Sequence, residues 1–163
     1  SNFTTFYQNN LDDEEIEQAN IKLNNKILHQ SKLINYLKLE KSKNDPTKDI
    51  NDFLKKIKKN KKYFFSKKDI ILVETFKSDG IKILKKYDDL YQINDSEIPS
   101  DIQIFVNSGD MAAALLRIVE VIGQDNLNNI DEDTLYFIIS TLNQLNADPL
   151  RNRILFKVLP LKV

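Results

Sequence analysis

Cysteine and tryptophan are absent from this chain; glycine occurs three times, proline four times, histidine and methionine once each. The absence of cysteine excludes disulfide staples, thiolate metal sites and cysteine nucleophiles together, and it fits a reducing compartment, cytoplasmic or nuclear. One histidine, His29, is too few for the usual zinc constellations. It stands beside Leu28 on the flank of an apolar stripe and reads as a helix-surface residue. No G-x-S-x-G elbow is present, and Gly80, Gly109 and Gly123 stand singly, so there is no glycine-rich phosphate loop. Asp88-Asp89 and Asp131-Glu132-Asp133 fall at helix ends, where carboxylates cap, and the second run lacks the alternation and glycine of a calcium loop. Neither an enzyme, a metal, a cofactor nor a small-molecule substrate is expected. No apolar stretch approaches the roughly 20 residues of a membrane span.

Scarce glycine and proline, with no alternation of period two, also exclude an all-β protein, which needs many turns. Hydrophobic residues at 41% and charged residues at 29% are those of a folded chain. The expectation is all-α, a helical bundle in two parts, residues 1–94 and 95–163. Acids at Asp12 to Glu15 open a long amphipathic helix to about residue 42, with Ile16, Leu23, Ile27, Ile34 and Leu37 on one side. A second helix starts at Asp49 or Asn51 and buries Ile50, Phe53, Leu54 and Ile57. Ser66 with Asp69 forms a capping box for a third, whose buried set is Ile70, Val73 and Phe76. A fourth runs from Ile81 to near Asn94.

Beyond residue 98 the signals sharpen. A short helix over Asp101–Val106 is followed at Ser108-Gly109 by a second, carrying Met111, Leu115, Ile118, Val119 and Ile122, with Gly123 as its stop. Asp131 caps a third, with Leu135, Ile138, Ile139, Leu142 and Leu145 on its stripe. Asp148-Pro149 opens the last, since proline suits the first helical position.

Ile98-Pro99 through Gly109-Asp110, and Thr141-Leu142 through Ile154-Leu155, resemble the opening and the closing step of an armadillo repeat. The resemblance covers residues 98–163 and implies a right-handed helical repeat that binds other proteins. In that family an asparagine near the end of the third helix holds an extended peptide backbone; Gln144 stands at the matching position. The apolar run to Val163 would continue the array, and reads as a fragment of a longer protein. On the third helix Phe137 lies opposite the main stripe, in line with Asp133, Ser140 and Gln144 (i, i+4, i+7, i+11). That line is either a partner-binding surface or a second core side covered by residues 1–94 folding back.

Charge is balanced in total but not in layout. Lys outnumbers Arg by 21 to 3 and Asn occurs 18 times, a skew like that of an AT-rich genome. Residues 38–92 hold 16 Lys against 9 acids, whereas residues 93–148 hold 10 acids against Arg117 alone. The cluster Lys55, Lys56, Lys58, Lys59, Lys61 and Lys62, next to Tyr63, Phe64 and Phe65, is a candidate surface for nucleic acid or an anionic membrane. Helical geometry is expected to spread these lysines around the axis. The function expected first is a scaffold or adaptor that binds another protein.

Overall fold

A computed structural model describes residues 32–37, 45–60, 65–91, 98–124 and 126–159, and every regular element among them is helical. The α-helices are α1 (Thr47–Lys59), α2 (Lys67–Ser78), α3 (Ser100–Ser108), α4 (Met111–Ile122), α5 (Glu132–Gln144) and α6 (Asp148–Val158). Short 3₁₀ turns occupy Asn35–Leu37, Lys85–Leu90 and Leu127–Asn129. Of the long N-terminal helix expected over 11–42, only 32–37 lies within the described residues; there Ile34 and Leu37 are buried, as is Leu33. His29 lies outside them.

Local chemistry sets the boundaries. Asp45 accepts from the Thr47 amide at 2.9 Å and its hydroxyl at 2.6 Å, so α1 begins at Thr47, before the expected Asp49. The Ser66–Asp69 capping box is formed reciprocally at the start of α2. Asp131 accepts from the Asp133 and Thr134 amides, and with the Thr134 hydroxyl foremost these bonds hold its carboxyl below the usual range. Three helix ends use one device. Gly80, Gly109 and Asn146 all take positive φ, and the following amide reaches back to Phe76, Phe105 and Leu142 respectively at 2.9–3.0 Å. Asparagine tolerates this left-handed position better than other side-chain-bearing residues.

Helix α2 buries one broad side. Asp69, Ile71, Leu72, Val73, Thr75 and Phe76 are buried, so two of the three expected core residues, Val73 and Phe76, are in place, whereas Ile70 and Glu74 are half-buried and Lys77 and Ser78 exposed. Its buried hydroxyl is satisfied locally, Thr75 donating to the Ile71 carbonyl at 2.8 Å. Leu33 through Leu159 contribute to one hydrophobic core, with residues from both sides of the expected 94/95 boundary in it.

The expected fourth helix is corrected. Residues 81–84 are not helical, and within 81–91 only Lys85–Leu90 winds, as a 3₁₀ turn. Asn51 on α1 is the cause. Its amide donates to the Lys82 carbonyl and accepts from the Leu84 amide, each at 3.0 Å, two bonds that a helix would spend internally. No helix among the described residues is long and apolar enough to cross a membrane.

Candidate functional site

Among the described elements helices α2 and α5 share the most extensive contact, and they run parallel. Lys67 pairs with Asp133 where both begin, while Ser78 and Gln144 line one groove where both end. Helix α6 returns antiparallel: its first turn carries Arg151 to Asp79 at the end of α2, and its last carbonyl, Val158, accepts from Lys68 at the start.

Parallel packing puts two negative helix ends side by side. Arg151, 1% exposed, answers both. Its guanidinium pairs in a fork with Asp79 (2.8 and 3.0 Å) and donates to Asn143 Oδ1 at 3.0 Å. Asn152 and Asp148 take its remaining edges. Burial raises the Asp79 carboxyl above its ordinary range, and Arg151 opposes that shift without overcoming it.

The groove between α2 and α5 measures about 420 Å³ and is lined by Glu74, Lys77, Ser78, Ile98, Tyr136, Ser140, Asn143 and Gln144. Burial pushes the Glu74 carboxyl up, while a hydrogen bond from Tyr136 and the charge of Lys77 act the other way. The Lys77 ammonium lies 5.4 Å from the centre of the Tyr91 ring, and the Tyr91 hydroxyl donates to Asp88 at 2.5 Å.

Ser140 and Gln144 differ from their neighbours. Thr141 bonds back to the Phe137 carbonyl at 2.9 Å, but Ser140 Oγ has no partner among the described residues. Gln144 only accepts, from Gln103 at 3.5 Å, and Asn143 only accepts, from Arg151. The Ser140 hydroxyl and the amide donors of Asn143 and Gln144 are therefore unspent among the described residues, at i, i+3 and i+4 along one wall.

The line expected on α5 is thus divided. Ser140 and Gln144 reach the groove, Asp133 is exposed and paired with Lys67, and Phe137 is core at 7% exposure. Phe137 sits between Asp133 and Ser140, both facing α2, so α2 is the second neighbour this helix needs. Arg151 was not singled out by sequence reasoning. Its signal is the rarity of arginine: Arg117 and Arg151, two of the three, each join several carboxylates or amides, which a lysine ammonium does less well.

The basic cluster is also rearranged. Lys55, Lys56 and Lys59 share one face of α1 and, with Lys32, Leu33, Asp49 and Asp52, line a recess of about 450 Å³. Lys58 turns away to pair with Asp89 at 3.1 Å, and Lys61 and Lys62 lie outside the described residues. Lys58 thus departs from the other three as helical geometry requires, while Lys55, Lys56 and Lys59, at i, i+1 and i+4, occupy adjoining positions. Asp49 is already engaged, first by Lys32 at 2.8 Å and then by the Tyr36 hydroxyl at 2.7 Å, which together hold its carboxyl low. Phe65, instead of flanking a binding face, packs against Phe53 with ring centres 6.4 Å apart. No cluster of metal-ligating side chains forms among the described residues.

Comparison with protein-family models, with curated proteins and with solved structures finds no match to this chain.

Proposed function

We propose that this chain is a non-catalytic interaction module that holds an extended segment of another protein in the groove between α2 and α5. The observation that carries the reading is the wall formed by the Ser140 hydroxyl and the amide donors of Asn143 and Gln144, unspent among the described residues. An extended segment presents a peptide N–H or C=O about every 3.3 Å, which side-chain hydroxyls and amides match and a catalytic site would not require. Ile98 offers an apolar contact beside them, and Glu74 and Lys77 supply one charge of each sign. The succession α3, α4, α5, α6 with stops at Gly109, Gly123 and Asn146 supports the armadillo-type reading of residues 98–163. Gln144 would then act where that family uses asparagine, with Asn143 beside it.

Peptides selected from a random display library on the wild-type chain test this. Affinity is expected to fall about tenfold or more on Ser140→Ala with Gln144→Ala, each lost bond being worth about 0.5–1.5 kcal/mol. Thermal melting should not change, because neither side chain is buried. Selected peptides that bind the double variant as tightly as the wild type would remove the groove as the site.

A second reading, binding of nucleic acid or an anionic membrane surface, is favoured by the recess that gathers Lys32, Lys55, Lys56 and Lys59. Retention on heparin is expected to weaken with salt, and Lys55→Glu with Lys59→Glu should elute at clearly lower salt. Unchanged elution would exclude the recess.

A further inference from the structure

The outer side of α4 carries apolar chemistry where water should be. Leu116 is 66% exposed and Val119 62%, and with the exposed Ala112 they stand at i, i+4 and i+7, a single stripe along the helix. The other side of α4 is already satisfied, with Ala114 and Ile118 buried. Ile104 on α3 is exposed as well, at 64%. One turn before it, Asp101 accepts from Arg117 at 2.8 Å, which ties α3 to α4. Isolated exposed apolar residues need no explanation, but a stripe along one side of a helix does.

Charge selects the occupant. Asp101, Asp110 and Glu120 edge the two helices, and their one cation, Arg117, is spent on Asp101 and on Glu120 at 3.0 Å. We propose that the Ala112–Leu116–Val119 stripe is a docking surface for a basic amphipathic helix of another protein. Its apolar side would cover the stripe, and its lysines or arginines would meet the acidic rim. An anionic membrane would meet like charge. A second copy placed symmetrically would set Glu120 and Asp110 against their own kind.

A labelled synthetic helix of leucine and lysine at amphipathic spacing, and its counterpart with glutamate for lysine, provide the probes. The lysine helix is expected to bind the full chain saturably, more weakly as salt rises, and the glutamate helix not to bind. Leu116→Gln with Val119→Gln should weaken binding about tenfold or more while the melting curve is kept, since both side chains are exposed. Equal binding by that variant overturns the proposal, as does no binding by the wild-type chain. A wild-type dimer in sedimentation that the variant loses also overturns it, by giving the stripe to a second copy.

Discussion

Replacing Arg151 by methionine is expected to remove about 2–3 kcal/mol of folding stability, because an ion pair buried on the arginine side and partly exposed on the aspartate side loses its buried partner. Arg151 is 1% exposed, but the Asp79 side chain is 29% exposed, so water reaches its carboxylate and softens the loss. The loss also leaves the Oδ1 of Asn143 and of Asn152 without donors, and uncovers the negative ends of α2 and α5. Against a total of about 5–15 kcal/mol for a domain, this is on the order of a quarter, and the melting temperature should fall by roughly 5–10 °C.

The pH dependence separates this account from simple loss of packing. The Asp79 carboxyl is raised in the folded chain, chiefly by burial, with Arg151 pulling the other way. A raised folded pKa gives a stabilising contribution that is present in acid and lost as pH rises through the folded value. Without Arg151 the carboxyl is raised further, so the gap between wild type and Arg151→Met should widen between about pH 4 and pH 7. Adding Asp79→Asn to Arg151→Met should recover most of the loss at neutral pH, since the stranded charge is gone. Urea melts of the three variants at acid and neutral pH measure this. A gap that does not change with pH, or a double variant no better than the single, would show that Asp79 is not the source of the cost.

What was legible in the sequence divides along the range of the interactions. Ser66 with Asp69, Asp131, Gly109 and Gly123 act within one turn of chain, and the helices they bound lie within a few residues of expectation. At the last helix the start is one residue early: Ala147 is the N-cap, and Asp148, expected to cap, is the first helical residue with no side-chain cap bond. Residues 81–84 are different. Their extended form is imposed by Asn51, some thirty residues away, and no local signal competes with that clamp. The half-burial of Ile70 on α2 is equally non-local, because the wide buried side formed by Asp69, Ile71, Leu72, Val73, Thr75 and Phe76 includes polar residues that no apolar stripe marks. For the site, the spacing of Ser140 and Gln144 placed them on one line correctly. What it lacked was α2, which takes Phe137 from that line into the core and leaves the other two at an edge. Lys55, Lys56 and Lys59 share a recess for a comparable reason, since residues 32–33 lie against that face of α1.

Phe137→Asp puts this division of α5 to its hardest test, and the expected outcome is an unfolded chain. Phe137 is 7% exposed, with Ile138 and Ile139 beside it at 0% and 1%. Truncating a buried phenylalanine costs about 3–5 kcal/mol, and burying an unpaired carboxylate in the same space adds several more. The sum reaches or exceeds the whole stability of an ordinary domain. Phe137→Leu keeps an apolar side chain and should cost only roughly 1–2 kcal/mol, leaving a cooperative melt. Far-ultraviolet circular dichroism and urea titration of both variants, beside Ser140→Ala with Gln144→Ala, then separate core from groove along one helix line. The expected pattern is that Phe137→Asp loses structure and peptide binding together, Phe137→Leu keeps both with a lower melt, and the groove variant loses binding alone. Were Phe137→Asp to stay folded with a native melt and lose only binding, Phe137 would belong to the partner surface. The parallel packing of α2 on α5, on which the groove depends, would then be wrong.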